Sequence, residues 1–443
     1  MSPNAIVDKS TAAWKLVSSL KDIIAVSRAE RTYPKWSDEF LAFCEQAADA
    51  TRKHLGEQSS VHVVAVNAAE MPWRLPNIIK GWELLHTFIK PVLDADNLKV
   101  PYPLVHFLTE HVGRLNAVKG AKFVFEISPE LNYFQHQHTD LRNALQYLQE
   151  LVRGPVFEPT TGFLALPCSQ FRSLFMNCVL YHEVGHFIAE ETGALLELRP
   201  TLRRELEDPF KDFLYWAIPT IQRLMEELFA DLVAVKLIGA AYTLSYLELL
   251  RLVTDLSPHQ MKRFFIDHPA DGLRFREQLR ILKDDGWSEY AVHLPQWEDI
   301  EEIAAIDDYL VPLDYEQDPI MAKIWKMLIR CFCGSEIISS IHKMVDSLLQ
   351  DREDPLKLYT PYADGIHECL EHGIVPSNEQ SGGMPNPVAV INGGTLFLLS
   401  RMDALYGIVP SRSEARIADR AFLENRVEMW CLKAIEDWLI RMK

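Results

Sequence analysis

"NCVLYHEVGHFIAEETG", residues 177–193, decides how the rest of the chain is read. Phe171, Leu174, Phe175, Cys178 and Val179 lead into it at helical spacing. One helix is therefore expected over 169–191, stopped by Gly193. On such a helix His182 and His186 are four residues apart and share a face, so each can turn a ring nitrogen toward one ion. Glu183 falls on the adjacent face, within reach of a water on that ion but offset from direct ligation. Gly185 is expected to remove side-chain bulk beside the ion. Polar groups inside an apolar helix cost free energy unless they are partnered. Two readings follow: a zinc site with its own base, or a buried helix with two satisfied histidines.

A catalytic zinc needs a third protein ligand and one open position. "LMEELFADLVAVKL", residues 224–237, supplies the candidate. Glu227 and Asp231 are four apart in an otherwise apolar run, so they share a helix face. Glu227 is the expected third ligand. Asp231 is expected to accept the N–H of a ligating histidine and fix its orientation. Glu226 is expected on the solvent edge. Two imidazoles and one carboxylate suit zinc best among divalent ions, so Zn2+ is the expected cofactor.

His182-Glu183-x-x-His186 followed by Glu227-x-x-x-Asp231 resembles the gluzincin branch of the zinc metallopeptidases. The resemblance implies a zincin-like core in which the helix bearing Glu227 packs beside the one bearing the histidines, with Glu183 as the catalytic base. Further on, "DHPADGLRFREQL" (267–279) holds His268-Pro269-x-x-x-x-Arg274. This resembles a motif of the zinc endopeptidases that process prenylated proteins and of their heat-shock-linked bacterial relatives. It implies that His268 and Arg274 are catalytic residues in the cleft, stabilising the tetrahedral intermediate. Pro269 is expected to start a helix with His268 just before it and Arg274 about one turn inside. The resemblance spans roughly 160–285. Those relatives are mostly membrane-embedded, whereas the most apolar stretch here, 232–253, is interrupted by Lys236, Glu248 and Arg251 and is expected to be a buried helix.

The remaining sequence is globular: 443 residues, 48% hydrophobic and 24% charged. It is expected to be mainly α (α+β). Its regions are an N-terminal mixed α/β region over 1–120, a zincin-like metallopeptidase core over 121–290 and a helical region over 291–443. Short strands are expected at 61–67, 122–127 and 162–167, and a long helix over 412–442. Pro209 and Pro219 are expected at helix starts. The Gly-, Pro- and Asn-rich stretch 376–394 is expected to be a loop or hinge. His136 and His138 are a weaker second pair, read as a surface loop.

A net charge of -17 argues against general nucleic-acid or membrane-surface binding. The first twenty residues lack the pattern of a secretory signal, and the seven cysteines are scattered; a reduced, cytoplasmic protein is expected. The expected activity is zinc-dependent hydrolysis of peptide bonds in a protein or peptide substrate, by a dedicated regulatory or defence protease. The edge of "GFLALP" (162–167) is expected to pair with an extended substrate, with Tyr181 assisting in the cleft or simply packing. The alternative is a catalytically silent, zinc-stabilised scaffold or sensor that binds a protein partner. Glu183 discriminates, because a purely structural site has no use for it.

Overall fold

The computed structural model of the chain describes residues 38–58, 101–128, 133–135, 161–167, 173–254, 268–306, 317–334, 336–377, 383–401 and 416–442, with isolated residues at 17, 18, 20–22, 24, 25, 82, 92, 311, 315 and 405. The strand expected over 61–67, and His136 and His138, lie outside these. Contacts group the chain into two units, Met1–Val100 with Ala121–Phe171, and Pro101–Gly120 with Arg172–Lys443. This partition differs from the sequence stretches 1–120, 121–290 and 291–443.

The first unit carries helix α1 (Asp38–Gln58) and strands β1 (Lys122–Ser128), β2 (Phe134–Gln135) and β3 (Thr161–Pro167). β1 and β3 are the near-continuous apolar runs expected of a parallel pair buried on both faces. They pair in parallel from Lys122↔Thr161 to Ser128↔Pro167. β2 joins the other side of β3 antiparallel, with Phe134 opposite Ala165. Phe40 of α1 meets Phe163 of β3 edge-on, with ring centroids 5.2 Å apart. The "GFLALP" strand is thus the middle of the sheet. β1 lies along the whole of one side, and on the other side β2 takes up Leu164 and Ala165, so the strand is not an open edge at those two residues.

The second unit is helical: α2 (Tyr102–Gly113), α3 (Leu180–Thr192), α4 (Leu214–Ile238), α5 (Ala240–Thr254), α6 (Asp271–Asp285), α7 (Pro295–Ala304), α8 (Pro319–Gly334), α9 (Ile337–Leu348), α10 (Ala363–Glu371), α11 (Pro387–Ser400) and α12 (Arg416–Arg441). Together with the small sheet this is the mainly α (α+β) class expected. Among the described residues, no helix is long and apolar enough to cross a membrane.

Several boundaries differ from those read in the sequence. The helix expected over 169–191 begins only at Leu180, after a 3-10 turn over Met176–Val179. Ser173 Oγ accepts the Met176 N–H and opens this new turn, a local side-chain bond that competes with a continuous helix. Gly193 closes α3 in the left-handed conformation, as expected. Pro209 lies in the turn ahead of α4 and Pro219 lies inside α4, so neither starts a helix. The carbonyl that Pro219 leaves without a helical donor belongs to Tyr215, which is 81% exposed, so water can replace the lost bond. α6 starts at Asp271, two residues beyond Pro269, with Ala270 as its N-cap.

The largest difference is in 376–394. Asn386 caps the N-terminus of α11 by accepting from Val388 N at 2.9 Å, and the following "PVAVINGG" is buried helix. A Cβ at Gly393 would sit 2.7 Å from Ile366, and one at Gly394 2.7 Å from Cys431 Sγ. These glycines serve the close approach of helices. Composition alone cannot tell that use from a loop.

Two features fix α4, which carries half of the candidate site. Its C-terminus turns into α5 at Gly239, where φ is +71° and the Trp287 ring occupies the space of a side chain. Fully buried Asn392 of α11 satisfies this corner. Its Nδ2 donates to the Ile238 carbonyl and its Oδ1 accepts from Ala241 N, both within 3.0 Å. Those are backbone groups that a sharp helix–helix corner would otherwise leave unpaired.

Candidate metal centre

α3 and α4 pack against each other through Gly185. A Cβ there would lie 2.5 Å from Ala230 Cα and 2.8 Å from its carbonyl oxygen. Gly185 was expected to clear space beside the ion. It clears space between the two helices instead, and so lets the site form.

The close packing brings together three side chains from the two helices. His182 Nε2 and His186 Nε2 are 3.1 Å apart. Glu227 Oε2 lies 3.3 Å from His182 Nε2, and Glu227 Oε1 3.5 Å from His186 Nε2. A tetrahedral centre with bonds of about 2.0–2.1 Å separates neighbouring donors by roughly 3.3–3.4 Å. The observed spacings match that figure. Glu227 Oε2 is buried and meets its neighbours only at long range, 3.3 Å to His182 Nε2 and 3.6 Å to His268 Nε2, so it retains capacity for a closer partner. The residues therefore fit a divalent metal, and His182, His186 and Glu227 form the group of possible ligands found among the described residues.

The support around His182 matches the expectation for Asp231. Asp231 is fully buried, and its Oδ1 lies 2.9 Å from His182 Nδ1. This contact fixes the ring with Nε2 turned toward Glu227 and His186. Burial alone pulls the His182 pKa down, but bonds to Asp231 and Glu227 outweigh it and lift the value to about 10 in the metal-free protein. His186 goes the other way, to about 4, through burial and the adjacent His182. The two rings thus differ in proton affinity without a metal: the carboxylates favour a cationic His182, while burial and that cation favour a neutral His186. Glu227 is pushed up by burial yet ends below the usual carboxylate range, because His182 and Arg274 stabilise its anion.

The other predicted residues divide. Glu183 is buried in the first turn of α3, beside His182. His268 lies at the rim, with Nε2 3.6 Å from Glu227 Oε2 and a side chain 49% exposed. With His186 at 23%, it marks the side from which solvent reaches the site. Arg274 is not arranged as the expected oxyanion donor. Its side chain is 6% exposed, and Nε and Nη2 grip the Asp231 carboxylate at 2.6 and 2.8 Å. Those two donors are committed before any substrate arrives. Tyr181 packs: it is fully buried, and its hydroxyl meets His111 Nδ1 at 3.0 Å. Glu226 is exposed, as expected.

Sequence reading missed Tyr242 and Tyr246 on α5. The Tyr242 hydroxyl donates to Asp231 Oδ1 at 2.5 Å and lies 3.4 Å from His182 Nδ1. The signal was present: two tyrosines four apart within an apolar helix share a face, and buried hydroxyls need partners. Compared with family models, curated proteins and solved structures, the chain finds no match. The functional reading therefore rests on the residues themselves.

Proposed function

We propose that the protein is a zinc-dependent metallopeptidase of gluzincin type, cleaving peptide bonds in a protein substrate. The observation that carries this reading is the convergence of His182, His186 and Glu227 at donor-to-donor distances suited to a tetrahedral ion, with Glu183 one position along the same helix. When bound, the ion would supply Lewis acidity at the scissile carbonyl and at the attacking water. His182, His186 and Glu227 would hold it. Glu183 takes a proton from the water and passes it to the leaving amine. His268, at the solvent-facing rim, donates to the oxyanion as the carbonyl becomes tetrahedral. Asp231 keeps His182 in the tautomer whose Nε2 lone pair faces the ion. We further place the enzyme in the cytoplasm as a dedicated regulatory or defence protease. The free thiols of Cys44, Cys178, Cys331, Cys333, Cys369 and Cys431 suit a reducing compartment.

The test is Glu183→Gln in the zinc-loaded protein, assayed on unfolded protein and peptide substrates. Zinc should remain bound while cleavage falls by about 10²–10⁴-fold. Cleavage at the wild-type rate by this variant would exclude Glu183 as the base. One observation favours the second reading, a zinc-stabilised scaffold or sensor. Arg274 is turned inward to Asp231 and away from any substrate. A wild type that binds zinc, gains stability from it and cleaves none of a broad substrate panel would support that alternative.

A further inference from the structure

Asp231 is surrounded by donors from three helices. Oδ1 receives Tyr242 OH (2.5 Å), Arg274 Nη2 (2.8 Å) and His182 Nδ1 (2.9 Å), and Oδ2 receives Arg274 Nε (2.6 Å). A carboxylate offers about four lone-pair sites, so this one is filled. Tyr246, one turn along α5 from Tyr242, lies under the Arg274 guanidinium, 4.4 Å from its carbon to the ring centroid. Its hydroxyl donates to Asp271 at 3.0 Å. The rings of His182, Tyr242 and Tyr246 run nearly parallel, with interplanar angles of 2° and 10° between neighbours.

We propose that Tyr242 and Tyr246 are positioning residues for the metal site, acting through Asp231 and Arg274 to lock the His182 ring. The inference rests on the metal reading above. Swinging the Asp231 carboxylate away from His182 breaks the Tyr242 bond and the fork from Arg274. Swinging Arg274 away breaks its seat on Tyr246. Any movement of Asp231 or Arg274 that would release His182 therefore disrupts a buried contact on α5 or α6. The positive Arg274 also offsets the charge of Asp231, to which it makes a two-pronged contact. Tyr242 acts on the site through Asp231 and His182, whereas Tyr246 acts through Arg274, whose Nη2 also lies 3.8 Å from Glu227 Oε2.

The experiment uses the full chain and zinc alone. Zinc affinity is measured by competition with a chromophoric chelator for wild type, Tyr242→Phe and Tyr246→Leu, and the visible spectrum is recorded after cobalt substitution. Tyr242→Phe keeps the ring and removes the donor. It should weaken zinc about tenfold, the lower end for loss of an outer-shell partner, and shift the cobalt bands. Tyr246→Leu removes the ring beneath Arg274, keeps all four donors on Asp231, and should weaken zinc by less than Tyr242→Phe does. A role confined to packing would lower the melting temperature of the metal-free protein and leave both readouts unchanged. Affinities and cobalt spectra equal to wild type in the variants would overturn the proposal. Should Tyr242→Phe fail to fold, Tyr246→Leu decides alone, since an unchanged affinity there breaks the chain of support. A wild type that binds no zinc removes the metal reading and this inference together. Zinc-binding wild type with unaltered variants removes only this inference.

Discussion

Replacing Gly185 by alanine probes the joint on which the site depends. The added methyl would stand 2.5 Å from Ala230 Cα, about 0.9 Å short of the 3.4 Å at which ordinary contact begins. The obstacle is backbone, so no side chain can swing aside, and α3 and α4 must separate by roughly that amount. Overpacking of this kind costs about 1–3 kcal/mol. Alanine returns about 1 kcal/mol through its better helix propensity. The metal-free protein should therefore lose only ~0–2 kcal/mol. Metal binding should suffer far more. His182 and His186 ride on α3 and Glu227 on α4, and ligand distances tolerate only about 0.2 Å. A shift near 0.9 Å withdraws Glu227 from the ion, and zinc affinity should fall about 100-fold or more. Denaturant unfolding without metal and chelator competition with zinc measure the two quantities on one sample. Zinc affinity within threefold of wild type, or a variant stabilised by the full propensity gain, would refute the claim that this close approach builds the site.

Other perturbations separate the remaining roles. Arg274→Gln leaves Asp231 buried without its fork, and should lower unfolding stability by ~3–5 kcal/mol, the cost of breaking a buried pair; denaturant titration measures it. A loss below ~1 kcal/mol with a large fall in turnover would return Arg274 to the oxyanion role expected from its motif. His111 is held down to about 4 by burial and by Arg114. Its folded value lies below the unfolded one, so its stabilising effect is full above pH ~6.5 and is lost progressively as pH falls toward 4, by at most ~3 kcal/mol. His111→Asn should flatten the stability profile in that window, and an identical slope in both proteins would contradict the assignment.

The candidate site was legible in the sequence because its chemistry is written in local spacings. His182 with His186, and Glu227 with Asp231, each follow the four-residue repeat of one helix face, and each pair stands out against apolar neighbours. The contact from Asp231 to His182 followed from the same reasoning. What the spacing could not show is how separate elements compete for a side chain. Arg274 and His268 sit in one motif, yet Arg274 turns inward to a buried carboxylate from α4 while His268 stays at the rim. That choice depends on α5, where Tyr246 lies under the guanidinium and Tyr242 bonds the carboxylate it grips. The glycines teach a similar lesson. Gly185, Gly393 and Gly394 meet the backbone or side chains of other helices, contacts that lie 37 to 45 residues away for Gly185 with Ala230 and Gly394 with Cys431. In the sequence they read as space beside an ion or as a hinge. Helix starts failed where a side chain such as Ser173 met a backbone group, or where a residue as exposed as Tyr215 lets a proline sit inside a helix, neither of which simple periodicity includes.

The most direct measurement is elemental analysis of the purified protein and of His186→Ala, after exposure to zinc and removal of excess. The account predicts about one zinc per chain in the wild type, a rise in thermal stability on loading, and loss of both in the variant. Absence of zinc from both proteins, with stability unchanged by its addition, would contradict the account and leave His182 and His186 as two histidines of a buried helix partnered by Asp231 and Glu227.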